Sequence, residues 1–180
     1  CSRYDRLLVV RSMILFLSND DPVSSASKLS LPTSPVRETV LSDDGRWLAT
    51  THHNETEVNG EASNEAYVWR IKDGIPVSPP MKLEGHLSKV QSIGISSEGR
   101  WVVTSSDHLR LWDLSSDDPI AGMQVLRSQN RSLSTIFSPD NRWLFTSGDV
   151  PCIWDLSVED VATSSIALRG HTARVGWGAD

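Results

Sequence analysis

LSDDGRWLAT at 41–50, ISSEGRWVVT at 95–104 and FSPDNRWLFT at 137–146 are one ten-residue phrase written three times. Each copy is followed by a second tryptophan signature, VWRI around Trp69, LWDL around Trp112 and IWDL around Trp154. Trp47, Trp101 and Trp143 lie 54 and 42 residues apart, and Trp69, Trp112 and Trp154 lie 43 and 42 apart. Leu29, Leu83, Leu126 and Leu168 keep the same register, with spacings of 54, 43 and 42. A unit that recurs at this period cannot bury its apolar face alone, so its copies must stack against one another. The first copy is longer by 11 residues, all inserted between Trp47 and Trp69, so one connection there is enlarged.

Between the turn signals, Val90–Ile95, Trp101–Thr104 and Leu109–Leu114 are short runs rich in β-branched and aromatic residues, the length and composition of strands. In the last run Leu109, Leu111 and Asp113 alternate with Arg110, Trp112 and Leu114, which places the two sets on opposite faces. No window sustains an apolar stripe at helical spacing for three turns.

The combination of Gly85-His86 and Gly170-His171, the Ser-x-Asp/Glu-x-Arg-Trp turns, and Trp112-Asp113 and Trp154-Asp155 resembles the WD-repeat β-propeller family over nearly the whole chain. The resemblance implies an all-β fold in which each repeat forms a four-stranded antiparallel blade. In the repeat at 85–127 the strands, from the axis outward, are expected at Val90–Ile95 (a), Trp101–Ser105 (b), Leu109–Leu114 (c) and Gln124–Arg127 (d). The a-b and c-d turns then share one face, and the b-c and d-a connections share the other.

The whole of 1–180 reads as one propeller segment: a partial blade at 1–31, a blade with an enlarged loop at 32–84, blades at 85–127 and 128–169, and the start of another at 170–180. Leu17-Ser18-Asn19-Asp20-Asp21-Pro22 matches Leu114-Ser115-Ser116-Asp117-Asp118-Pro119, so the chain opens inside a repeat. The fold class expected is three complete four-stranded blades plus partial blades at both ends. The end pieces either complete one blade of a four-blade ring or belong to a larger ring, and the usual blade numbers favour the larger ring. An open ring exposes strand edges, so further blades of the same polypeptide or self-association are expected partners. The apolar run Leu7–Leu17 invites comparison with a secretory or anchor segment. Arg11 interrupts it, it is too short to span a bilayer, and it aligns with strands b and c of the repeat.

Composition narrows the function classes. An apolar content of 38% with seven tryptophans is globular, and 17 basic against 23 acidic residues argue against nucleic acid or an anionic membrane as partner. The two cysteines, Cys1 and Cys152, support neither a disulfide framework nor a metal cluster. Phosphate-loop, nucleophile-elbow, His-Glu-x-x-His and Cys-x-x-Cys motifs are all missing, so no enzyme activity and no cofactor is expected. Asp20-Asp21, Asp43-Asp44 and Asp117-Asp118 read as turn formers rather than acid/base pairs.

What remains is a set of polar residues. The resemblance implies a hydrogen-bonded structural network of His86, Ser105 (or Ser106), Asp107 and Trp112, with Asp149 and Trp154, and His171, as its members in the following repeats. A His-Ser-Asp set also matches a hydrolase triad by residue type, but its partial recurrence by repeat favours the structural role. In the third full repeat Ser128-Gln129 stand where Gly-His is expected, which deprives Asp149 of its imidazole and predicts a looser blade. In the first, Leu31-Pro32-Thr33 replaces that segment and Trp69 is followed by Arg70. The enlarged loop is expected over about His52–Asn64; its His and Glu residues are competent metal ligands, but a solvated or partner-contact loop is the reading preferred, with no metal. Asn54-Glu55-Thr56 and Asn130-Arg131-Ser132 match the glycosylation sequon, and without a secretory signal they carry little weight.

The function expected is a non-catalytic scaffold for a protein or peptide, in a cytoplasmic setting. Candidate partner contacts are His53, Glu55 and Glu57 in the long loop, with Lys89, Arg131 and Arg174 in or beside the d-a connections. The alternative is a regulatory or sensor segment of a larger signalling enzyme whose catalytic domain lies outside these residues.

Overall fold

A computed structural model of the protein describes residues 6–10, 13–17, 27–28, 36–52, 65–73, 75–77, 79–127, 134–148 and 150–170. Strands β1 (Arg6–Val10), β2 (Met13–Leu17) and β3 (Ser27–Lys28) form a three-stranded antiparallel sheet. The apolar run expected to be strands b and c is thus a hairpin, with Arg6 opposite Leu17 and Val10 opposite Met13.

Three larger sheets follow, one per full repeat. The first joins β4 (Val36–Leu41), β5 (Trp47–His52), β6 (Ala66–Lys72) and β8 (Met81–Leu83), and two-residue β7 (Ile75–Pro76) folds back on the end of β6. The second is β9 (Ser92–Ile95), β10 (Trp101–Ser105), β11 (Leu109–Asp113) and β12 (Gln124–Leu126). The third is β13 (Thr135–Phe137), β14 (Trp143–Thr146), β15 (Cys152–Asp155) and β16 (Ile166–Ala167), with one 3-10 turn at Val161–Thr163 before β16. Every pairing is antiparallel and, apart from β6 with β8 across the short β7, joins neighbours in sequence order, the β-meander of a propeller blade. The expected strands of the middle repeat hold to within two residues. β9 starts at Ser92 rather than Val90, although Val90 is itself buried.

Alternation along each strand feeds two different cores. On β10 and β11, Trp101, Val103, Leu109 and Leu111 pack with Leu144, Trp154 and Leu156 of the third sheet. On the same two strands, Val102 and Trp112 pack with Ala49, Val68 and Leu83 of the first, joined by Leu114 just beyond β11. A sheet buried on both faces must be apolar at nearly every position, which is why WVVTS and LRLWD show no polar side. Arg110, only 4% exposed, is the one Lys, Arg, Asp or Glu among the described residues that is admitted to this interior.

Polar contacts lock the sheets edge to edge. A bulge between Val36 and Glu38 breaks the β4–β5 register and turns both polar neighbours toward the second sheet. Arg37 donates to the carbonyls of Val90 (2.9 Å) and Gln91 (2.8 Å), while Glu38 accepts the Ile93 N–H at 3.2 Å. Burial pushes the Glu38 carboxyl up, and the Ile93 N–H and the Arg37 charge only partly offset it. Between the second and third sheets, Asn141 Oδ1 accepts both the N–H and the hydroxyl of Ser97, at 3.0 and 2.8 Å.

Candidate functional site

The a-b turns show why the ten-residue phrase repeats. Ser42 Oγ donates to Asp44 Oδ1 (2.6 Å) and accepts the Trp47 N–H (3.0 Å), and Asp44 Oδ1 also accepts the Arg46 N–H (3.0 Å). Ser138, Asp140, Arg142 and Trp143 make the same set, and Ser96 accepts the Trp101 N–H at 2.9 Å. The fourth residue of each turn takes a positive φ: Gly45 at 69°, Gly99 at 73° and Asn141 at 57°. Asp118, likewise expected as a turn former, accepts the N–H groups of Ile120 and Ala121; Asp20 and Asp21 lie outside the described residues.

The Trp-Asp pairs complete this end of the blade. Asp113 holds Arg100 (2.9 Å) and Asp155 holds Arg142 (3.3 Å), and each aspartate also accepts the N–H and hydroxyl of the serine two residues on. Burial would raise the Asp113 carboxyl, but the Arg100 and Ser115 hydrogen bonds hold it below the usual range. Each arginine also stacks on its own tryptophan, 4.5 Å from the Trp101 ring and 4.8 Å from the Trp143 ring.

At the opposite end of the second sheet the expected network takes a different form. The hydroxyl between imidazole and indole belongs to Thr104: its Oγ1 is 2.9 Å from His86 Nε2 and accepts Trp112 Nε1–H at 3.3 Å. Ser105 is buried beside it. The physical reason is alternation: only Thr104, not its neighbour, shares a face with Trp112. Asp107 takes the Arg110 guanidinium on both oxygens (3.0 and 3.1 Å) and the Leu87 N–H at 3.1 Å. Arg110 also donates to the carbonyls of Gly85 (2.5 Å) and His108 (3.3 Å). Burial alone would raise the Asp107 carboxyl; the Arg110 hydrogen bonds, the Leu87 N–H and the Arg110 charge instead hold it well below the carboxylate range. Thr104 and Arg110 were missed as site residues, although a charged residue at an inward position three places after an aspartate was a readable signal.

Each repeat fills the same place in its own way. Trp154 Nε1–H donates to Thr146 Oγ1 at 3.2 Å, and Thr146 donates in turn to the Cys152 carbonyl at 3.4 Å. In the first sheet Thr50 Oγ1 lies 2.8 Å from the imidazole Nε2 of His52, on the same strand, and that ring meets Tyr67 edge-on at 5.2 Å. This corrects the loop boundary: His52 is not loop but the last residue of β5, only 2% exposed, because it supplies the imidazole that the Leu31-Pro32-Thr33 segment lacks. Arg110, Tyr67 and Cys152 occupy the equivalent place two residues before the second tryptophan.

Of the candidate partner contacts, Lys89 is half-buried on the segment between His86 and β9, next to Leu87, which is 82% exposed. His53, Glu55, Glu57, Arg131 and Arg174, like Asp149 and His171 of the network, lie outside the described residues.

Among the described residues, two clefts away from this network stand out. One, of about 510 Å³, runs along the innermost strands β9 and β13 and is lined by Ile93, Ile95, Ile136 and Phe137 among others. The other, of about 350 Å³, opens between the first two sheets at the a-b turn end and is lined by Arg46, Trp47, Arg70, Glu98, Gly99, Arg100, Leu114 and Ser115.

Residues 77–113 match the family model described as WD domain, G-beta repeat. A chain of the solved structure described as "Crystal Structure of Mitotic Checkpoint Complex" is similar with a TM-score of 0.63 at 14% sequence identity. The similarity covers 93% of this chain and 47% of that one, so the chain spans about half the length of that neighbour. At that identity the likeness is one of fold. Comparison with curated proteins gives no match.

Proposed function

The chain carries WD repeats folded as propeller blades, and from that premise we propose that it is a non-catalytic scaffold that docks a protein or peptide on its loop ends. One observation carries the reading: the residues that resemble a catalytic set are consumed in holding the blade together. Ser105 is 1% exposed, the Ser106 hydroxyl donates to the Ser88 carbonyl at 2.6 Å, His86 is held by the buried Thr104 hydroxyl, and the Asp107 carboxylate is taken by Arg110 and a backbone N–H. A nucleophile needs a reachable oxygen and a base oriented by its acid, and neither condition is met by this arrangement. A stiff sheet stack instead presents its connections at fixed positions, which lowers the ordering cost of binding.

In this reading the face of the b-c and d-a connections is a contact surface, with His53, Glu55, Glu57, Lys89, Arg131 and Arg174 as its proposed contacts. A cytoplasmic setting belongs to the same proposal. Selection of a random peptide library on the immobilised chain, followed by direct titration of the enriched peptides by fluorescence polarisation, tests it. A recurring sequence pattern that binds the chain in the micromolar range is the expected result; no enrichment over a denatured control contradicts it.

A further inference from the structure

We propose that the cleft between the first and second sheets, built around Arg70, docks an acidic segment of a protein partner, whose carboxylate takes the place of an aspartate that the first repeat lacks. The proposal rests on the scaffold reading and adds a surface and a ligand chemistry to it. The chain carries its own template. In the second and third repeats the residue opposite the first tryptophan is Asp, in the pairs Trp101 with Asp113 and Trp143 with Asp155, and that Asp binds the arginine before the tryptophan. In the first repeat the same position, opposite Trp47, is Arg70.

That exchange inverts a charge. Arg46, the counterpart of Arg100, turns back through Nε to Asp44 at 2.6 Å in its own turn, and its Nη2 donates to the Glu98 carbonyl at 3.4 Å across the cleft. Arg70 is exposed and, among the described residues, has no ion-pair partner. Its neighbour across the cleft is the Arg100 side of the second sheet, so three guanidinium groups line a single space of about 350 Å³. Asp44 and Asp113 are already bound by Arg46 and Arg100, and Glu98 is the one carboxylate in the lining.

The floor suits a peptide rather than a bare ion. Trp47 is half-buried and Leu114 closes the space beside it. The Trp47 indole comes so near Gly99 that a Cβ there would stand 2.6 Å from Trp47 Cδ1, so only a glycine lets the turn of the second sheet pack against the ring in the cleft. An aromatic plane beside a fork of planar donors receives an Asp or Glu side chain and the backbone that carries it.

The test is fluorescence polarisation of a labelled Glu/Asp-rich decapeptide against the 180-residue chain, beside its Gln/Asn counterpart and a phosphoserine version. The acidic peptide is expected to bind, the amide counterpart not, with affinity falling as salt rises. Arg70→Asp restores the residue type of the other repeats, so it is expected to fold at least as well while weakening binding by roughly tenfold or more. Glu98→Gln is expected to tighten binding a few-fold, and Lys82→Ala, on the outer strand β8, to leave it unchanged. Failure of the acidic peptide to bind, equal binding by Arg70→Asp, or binding of the phosphoserine peptide alone would each overturn the proposal. Library peptides that bind while the acidic peptide does not would remove this inference and leave the scaffold reading standing.

Discussion

Arg110 grips Asp107 through both Nη atoms, at 3.0 and 3.1 Å, from a position in the blade interior where it is only 4% exposed. The pair holds the b-c turn against Gly85 and Leu87 of the preceding connection, so two connections at one end of the blade are fixed by one buried cation. Hydrogen bonds to charged groups contribute about 1.5–3 kcal/mol each, and an ion left alone in the interior costs more than the pair gains.

Arg110→Ala is therefore expected to lower unfolding free energy in urea by about 2–3 kcal/mol. The pH dependence gives a sharper check. The folded Asp107 carboxyl titrates below the ordinary aspartate value, so its contribution is present above that value and lost as pH falls through the folded one. Asp107→Asn should flatten the acid limb of the stability profile, and an unchanged limb would rule out the pair as its source.

Glu38 predicts the opposite slope. Its folded carboxyl titrates above the ordinary glutamate value, so the stability linked to it is present at low pH and declines as pH rises through that window. In Glu38→Gln that decline should vanish in urea titrations run at successive pH values, while the amide oxygen still accepts the Ile93 N–H.

Two glycines at the same turn position should respond differently. Gly45 and Gly99 have φ of 69° and 73°, the region Asn141 occupies in the third repeat. Space around a Cβ at Gly45 is open, whereas one at Gly99 meets Trp47. Gly45→Asn should cost no more than about 1 kcal/mol, and Gly99→Asn clearly more, since a steric clash adds to the backbone term. Equal melting losses would contradict the close approach.

The imidazole in the first sheet is also testable. His52 is buried against Thr50 and Tyr67, and His52→Ala should cost about 1–3 kcal/mol by leaving the Thr50 hydroxyl without that partner. A solvated loop histidine would show almost no effect.

The strands and the turns were legible because period, alternation and the Ser-x-Asp/Glu-x-Arg-Trp phrase each demand a specific backbone, and Trp101, Trp112 and Trp154 fell where the repeat placed them. The polar network was less legible. Serine and threonine are chemically alike at 104–106, and only the strand's phase assigns Thr104 to the Trp112 face. His52 was hidden by its neighbour His53: a pair of histidines before a polar stretch reads as loop, and burial against Tyr67, which lies 15 residues further on, leaves no local mark. Arg70 was visible as a departure from Trp-Asp, but its consequence required the cleft that the second sheet closes beside it.

In the scaffold reading proposed above, the residues that resemble a catalytic set serve the fold. The melting temperature of His86→Ala against the parent tests it most directly. Loss of the imidazole from Thr104 should lower the midpoint by about 2–4 °C for each kcal/mol lost, with no turnover of ester or peptide substrates in either protein. A midpoint that does not move, together with a hydrolytic activity that the substitution abolishes, would contradict the account.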